Sequence, residues 1–130
     1  MQVLITGASG FVASKLIKKI RDSKKHKIIA SSSTIKSKNI VYWNANISPK
    51  KFAKTLSGFD MVIHLASYIP QNHQDEGEAK KCIDINSIGT LNLLNSCKLA
   101  NVKRFVFISS ANIFAADSKK KKITKSSMID

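Results

Sequence analysis

The sequence predicts an α/β fold, a doubly wound parallel sheet with strand order 3-2-1-4-5, and three observations carry that reading. Short apolar runs alternate with helical periodicities along the chain, the runs are near-continuous in apolar residues, and the first of them empties into a glycine turn that opens a helix. Strands covered on both faces need apolar residues at successive positions, and parallel neighbours need a helix to carry the chain back over the sheet with a right-handed crossover. The ligand cleft of such a sheet is expected outside the carboxyl ends of strands 1 and 4.

Each element has its own signal. Val3-Leu4-Ile5 is the first strand. Val12, Leu16, Ile17 and Ile20 then recur at helical spacing, while Lys15, Lys18, Lys19 and Arg21 fall mostly elsewhere, which predicts a helix with one buried face. Asp22-Ser23-Lys24-Lys25 breaks it, and Lys27-Ile28-Ile29-Ala30 is the second strand. A polar loop over 31–38 leads to a third strand, Ile40-Val41-Tyr42-Trp43, and a short helix over 49–56. Met61-Val62-Ile63-His64-Leu65 is the fourth strand. A long helix is expected over 78–100, with Ile85, Ile88, Leu91 and Leu94 as its apolar seam, followed by a fifth strand, Arg104-Phe105-Val106-Phe107-Ile108. Residues 117–130, with Lys119 to Lys122 in succession, are expected to be an exposed lysine-rich tail. There is no internal repeat.

At 130 residues the chain is long enough for one cored domain, 1–130, and too short for a cofactor domain plus a substrate domain. It has no stretch approaching the roughly 20 apolar residues of a membrane span, and Met1 leads directly into the first strand without a basic leader, so the expected compartment is the cytoplasm. Cys82 and Cys97, fifteen residues apart on the predicted long helix, would lie about 22 Å from each other and cannot bridge. The three histidines are too scattered for a metal set.

The formal charge of +14 invites a nucleic-acid reading. The residues argue against it. The positive charge is nearly all lysine, Arg21 and Arg104 being the arginines, and it is spread along helix faces and loops, whereas readers of bases or phosphates usually concentrate arginine and interleave aromatics.

The first turn, Thr6-Gly7-Ala8-Ser9-Gly10-Phe11-Val12-Ala13, has the makings of a phosphate cradle. Gly7 permits a tight turn, Gly10 a close backbone approach, and Ala13 close packing of helix on strand, while the helix directs free N–H groups and its positive dipole end at an anion. The spacing is Gly-x-x-Gly-x-x-Ala, and the preceding strand and following helix supply the context that gives such a motif meaning.

Three more segments join it. Asp60-Met61-Val62-Ile63-His64-Leu65-Ala66, Asn86-Ser87-Ile88-Gly89-Thr90-Leu91-Asn92-Leu93-Leu94 and the stretch from Val102 through Ser109-Ser110 to Phe114 follow it in order. Together the four resemble the extended short-chain dehydrogenase/reductase family, in particular its NAD-dependent epimerase/dehydratase group acting on nucleotide sugars, over its N-terminal part from Val3 to about Ala115. The resemblance implies a Rossmann-type sheet that is C-terminally incomplete, truncated after strand 5. It implies a cofactor held by Gly7, Ser9, Gly10, Phe11 and Val12 at the pyrophosphate turn, by Ser31 and Asn46 on the adenosine side, and by Leu65, Ala66 and Ser67 at the end of the fourth strand. Ser110 matches the family's catalytic serine or threonine, which hydrogen-bonds the reacting hydroxyl, and Asn86 the helix asparagine that helps hold the proton relay. His64 is expected to be a packed strand-end histidine.

Departures from the family pattern are equally informative. The family's base is a tyrosine followed four residues later by a lysine that lowers its pKa. Here Tyr42 is followed by Asn46 and Tyr68 by Asn72. The chain reaches Asp130 at about the point where the pair is expected, and the later strands and sugar-gripping region are absent, so apolar surface at strand 4 or the cleft is expected to be left open, giving low stability or homo-association. The cofactor is NADP or NAD. The second strand leads into Ser31-Ser32-Ser33-Thr34 with Lys36 and Lys38 beyond and no acidic residue for a ribose diol, and hydroxyls with lysines lean to the 2′-phosphate of NADP(H).

Three functions follow as alternatives. The first is the cofactor-binding N-terminal part of a nucleotide-sugar epimerase, dehydratase or reductase that moves hydride to and from a sugar carbon. The second is a non-catalytic remnant or nucleotide-binding module. The third, a basic nucleic-acid-binding protein, would lose binding steeply with salt and ignore a change at Gly10.

Overall fold

The structure is a computed structural model that describes residues 1–33, 40–72 and 74–110. Its elements run β1 (Gln2–Ile5), α1 (Phe11–Asp22), β2 (Lys27–Ser32), β3 (Ile40–Tyr42), α2 (Pro49–Thr55), β4 (Met61–His64), α3 (Glu76–Cys82), a π-helical turn (Ile83–Gly89), α4 (Thr90–Leu99) and β5 (Arg104–Phe107). The strands form one sheet in the order β3-β2-β1-β4-β5, as expected, with every pair parallel. β1 sits at the centre, Val3 opposite Ile28 on one side and Met61 on the other.

The pleat of β1 explains why the sheet is covered on both faces. Leu4 joins Trp43, Phe52, Leu56, Val62, Leu93 and Cys97 on one face, whereas Val3 and Ile5 pack with Ala13, Ile17 and Ala30 on the other. Successive residues of a strand point to opposite faces, so an unbroken apolar run feeds two cores at once. α1 covers the second core and the α2–α4 pair the first. Pro49 at the first turn of α2 fixes the backbone where an amide N–H would be surplus.

Several sequence expectations are corrected. Val12 does not belong to the buried stripe of α1, whose buried residues are Ala13 and Ile17; Val12 is 58 % exposed at the cleft end of the helix. The long helix starts at Glu76 and is interrupted by the π turn. One extra residue in a helical turn rotates everything beyond it by about 100°. The expected seam is therefore turned outward: Ile88, Leu91 and Leu94 are 47 %, 53 % and 45 % exposed, and Gly89, Leu93, Ser96 and Cys97 face the core instead. Of the two places where open apolar surface was expected, strand 4 is internal with Val62 fully buried, whereas the cleft does carry it, Phe107 and Ile108 at the end of β5 being both exposed and part of the cleft lining. Cys82 and Cys97 are both free, on opposite sides of the π turn. The lysine-rich stretch 117–130 lies outside the described residues. Among the described residues no helix is long and apolar enough to cross a membrane.

Candidate functional site

A cleft of about 1240 Å³ opens at the carboxyl ends of β1 and β4. Every site residue expected from the sequence lines it except Ser31. Its floor is the glycine turn. Gly7 holds φ of +68°, and a Cβ there would stand 2.7 Å from the Ala66 amide nitrogen and 2.8 Å from the Ala66 Cα. Glycine alone accommodates both the left-handed backbone and that approach. The Gly10 amide donates to the Gly7 carbonyl at 2.8 Å, and the Ala8 amide to the Ser31 carbonyl at 3.2 Å, so the turn is stitched to itself and to β2. A Cβ on Gly10 would meet the Gly7 carbonyl oxygen at 3.1 Å.

α1 then begins without a side-chain cap and without an acid in its first turn. The orphan amides of a helix N-terminus need acceptors, and an anion in the cleft is one. Phe11, 77 % exposed, lies beneath the Lys15 ammonium, 4.9 Å from the ring centroid. The close-packed glycine turn, the uncapped helix and the volume of the cleft together fit a dinucleotide diphosphate.

Behind the turn runs a buried polar chain. The Thr6 hydroxyl accepts from the Leu65 and Ala66 amides, each at 3.2 Å, so its proton goes to His64 Nδ1 at 2.7 Å. On the other side the Thr90 hydroxyl donates to the Asn86 carbonyl at 2.7 Å and so accepts from His64 Nε2 at 2.9 Å. This network assigns His64 as the neutral tautomer protonated on Nε2. The residue is 1 % exposed, and burial lowers its pKa to about 4. Trp43 meets it edge to face with centroids 5.4 Å apart. His64 is thus the packed strand-end residue expected, a rivet from the glycine turn to the π turn.

One wall of the cleft is the segment after β4. The Asn86 side chain spends both of its polar ends on it: Oδ1 accepts from the Tyr68 amide at 2.7 Å, and Nδ2 donates to the Tyr68 carbonyl at 2.8 Å. The expected relay asparagine therefore holds a loop. The Tyr68 hydroxyl donates to Glu78 Oε1 at 2.6 Å, and the Gln71 amide to Glu78 Oε2 at 2.8 Å. The phenol is pushed up to about 12, first by the hydrogen bond to Glu78 and then by desolvation and the carboxylate's charge, while the same bond and that from Gln71 hold the Glu78 carboxyl below its ordinary value. Ser110 lines the same side, beyond the end of β5, and is exposed.

The opposite wall comes from β2 and β3. Ser31 belongs to β2 and is fully buried, with no hydrogen-bond partner for its hydroxyl and no place in the cleft lining; the exposed Ser33 stands at the cleft instead. The misplacement has a simple cause, since β2 continues to Ser32, two residues past its predicted end. Thr34, Lys36 and Lys38 lie outside the described residues. Asn46 lines the cleft and donates its amide to Asn44 Oδ1 at 3.0 Å, and Asn44 Nδ2 donates to the Tyr42 hydroxyl at 2.7 Å. This loop is fixed from below: Asn92 Nδ2 donates to the Ala45 carbonyl at 2.9 Å, and a Cβ on Gly89 would fall 2.6 Å from Ala45 Cβ.

Sequence reasoning missed Thr6, Asn44, Tyr68, Glu78 and Thr90. A hydroxyl at a strand end beside a glycine turn was a usable signal for Thr6; nothing local marks Glu78, whose partners stand seven and ten residues before it in a loop without regular structure.

Known proteins resemble this chain over most of its length. The family model described as "NAD dependent epimerase/dehydratase family" matches residues 3–129. An uncharacterized UDP-glucose epimerase, YtcB, of Bacillus subtilis is 28% identical over 131 residues, covering 88% of this chain and 41% of that protein. A putative UDP-glucose 4-epimerase of Methanocaldococcus jannaschii is 30% identical over 115 residues, covering 83% of this chain and 37% of its own length. Among solved structures, UDP-glucuronic acid 4-epimerase from Bacillus cereus in complex with UDP-glucuronic acid and NAD superposes with a TM-score of 0.80 at 19% identity, over 100% of this chain and 46% of that one. The chain thus spans about two fifths of the length of these curated relatives. With the match running through the glycine turn, the β4 end and the serine segment alike, the chain belongs to the NAD-dependent epimerase/dehydratase family.

Proposed function

We propose that the chain binds a nicotinamide dinucleotide, as the cofactor-holding part of an enzyme that acts on a nucleotide sugar. The observation that carries this is Gly7, left-handed and packed on the Ala66 backbone, beneath an α1 N-terminus that has neither a side-chain cap nor an acid. The diphosphate is held by the amides of the turn and the first turn of α1. The adenosine half lies along Ser33 and Asn44 to Asn46, and the nicotinamide half along Ala66 to Tyr68 and Ser110, because the strand order puts β2 and β3 on one side of the turn and β4 and β5 on the other. A nicotinamide in that half of the cleft supplies a hydride acceptor and donor. Ser110 would orient a sugar hydroxyl toward it. The missing acid at the β2 end and Ser33 at the cleft favour NADP(H) over NAD.

A second reading, binding without turnover by this chain itself, is favoured by Tyr68. It is the tyrosine at the cleft, yet no lysine follows it at the fourth residue, and its bond to a carboxylate drives its pKa to about 12, away from the neutral range a base requires.

Calorimetric titration of the chain with NADP⁺, NAD⁺ and ADP tests both readings. Dinucleotide binding that Gly10→Asp abolishes is expected, with no hydride transfer from UDP-sugars by the chain alone. Absence of binding would sink the proposal, and equal affinity for the two dinucleotides would sink the preference for NADP(H).

A further inference from the structure

The loop after β4 is fastened at two points that belong to different helical elements. Asn86, in the π turn, grips both backbone polar groups of Tyr68. Glu78, in α3, takes the Tyr68 hydroxyl on one carboxylate oxygen and the Gln71 amide on the other. Tyr68 and Gln71 both donate, to different oxygens of Glu78, so the position needs an acceptor at each end of the group, which a carboxylate has and a carboxamide lacks. Asp75 in turn caps the α3 N-terminus by accepting from the Glu78 amide at 3.0 Å, and Lys81 stands 3.5 Å from Glu78 Oε1 and 5.8 Å from the centre of the Tyr68 ring. The loop carries Ser67, Tyr68 and Ile69, which wall the β4 and β5 side of the cleft.

We infer that Glu78 is a positioning residue: acting through the Tyr68 hydroxyl and the Gln71 amide, it fixes the wall against which the nicotinamide half of the dinucleotide binds, and it does not serve the adenosine half. The inference rests on the dinucleotide reading above and adds to it a residue, outside the cleft lining, on which that half of the cofactor depends.

The experiment compares the unsubstituted chain with Glu78→Gln, Tyr68→Phe and the double variant. Each is titrated calorimetrically with ADP and with whichever of NAD⁺ and NADP⁺ the unsubstituted chain binds more tightly, and each is melted without ligand. Loss of one charge-assisted hydrogen bond in the wall is expected to weaken dinucleotide binding about five- to tenfold in each single variant, with ADP affinity held within about twofold. The double variant should bind no more weakly than the weaker single one, since both changes break one latch. A merely structural role would weaken ADP and dinucleotide alike, and that result overturns the inference. So does unchanged dinucleotide affinity in both single variants, or an unsubstituted chain that binds ADP but gains nothing from the nicotinamide half. Should Glu78→Gln fail to melt cooperatively, Tyr68→Phe decides alone, because it removes a single oxygen and keeps the ring. Binding of neither ligand by the unsubstituted chain overturns the dinucleotide reading and this inference with it.

Discussion

Acidification from pH 7 to pH 5 should destabilise the fold through His64. Its folded pKa is lowered to about 4 by burial, and an exposed histidine titrates near 6.5. A depressed folded value means that the unfolded chain binds the proton first, so stability is fully present above pH 6.5 and is lost as the pH falls toward 4. At pH 5 nearly every unfolded molecule carries that proton and about one folded molecule in ten does, which costs about 2 kcal/mol relative to pH 7; the full loss below pH 4 is about 3 kcal/mol. The cause is structural: protonating Nδ1 turns the acceptor of the Thr6 hydroxyl into a second donor, and Thr6 already has two amides on its lone pairs. Urea unfolding followed by the fluorescence of Trp43, the chain's single tryptophan and an edge-to-face neighbour of His64, measures it. With a urea slope of about 1.5 kcal/mol/M the midpoint should drop by roughly 1.3 M between pH 7 and pH 5. His64→Gln should be less stable at pH 7 but nearly flat over the same interval. A midpoint that does not move in the unsubstituted chain, or that moves equally in His64→Gln, would refute the assignment of a neutral, doubly bonded His64.

Gly7→Ala should cost roughly 2–4 kcal/mol in urea unfolding, because the new methyl must adopt a left-handed backbone and meets the Ala66 backbone at 2.7 Å; a loss under about 1 kcal/mol would mean the turn can open. Gly10→Asp, at an ordinary extended φ of −73°, should change the melting temperature little while abolishing dinucleotide and ADP binding, since it sets a carboxylate where the diphosphate belongs; retained ADP binding would place the anion elsewhere. Gly89→Ala should lose about 1–3 kcal/mol by overpacking on Ala45 and weaken ADP through the Asn44 to Asn46 loop, and Ala45→Gly in the same chain should restore much of both, a rescue absent if the helix simply shifts.

What was legible in the sequence was whatever local pattern dictates. The five strands, their order and the glycine turn follow from apolar runs, crossover rules and the special needs of Gly7, and each is found where those rules put it. The π turn was not legible. Ile85, Ile88, Leu91 and Leu94 repeat every third residue and read as a buried seam, yet the extra residue between Cys82 and Thr90 turns the later ones outward. Nothing in residue type announces that extra residue; it is fixed by what the turn must reach, namely Tyr68 through Asn86, Ala45 through Gly89 and His64 through Thr90. Ser31 failed for a related reason, because a strand's end depends on its neighbour: β2 runs on to Ser32 as long as β3 offers Val41 and Tyr42 to pair with.

Both walls of the cleft and the His64 link beneath them are therefore tied to the π turn and the first residue of α4, attachments that the π-helical segment satisfies together. A π turn advances less than the roughly 100° per residue of an α-helix, so an α-helix over the same residues would point Asn86, Gly89 and Thr90 in different directions from those three contacts. Losing the Asn86 or Thr90 hydrogen bonds would leave polar groups without partners at a cost of about 1–3 kcal/mol each, while Gly89 contributes the space that Ala45 occupies. The glycine turn meets the same element through Thr6 and His64. Thr6 and His64 thus couple the floor of the cleft to both walls, which would give the proposed dinucleotide a fixed surface even though β5 is an edge strand among the described residues.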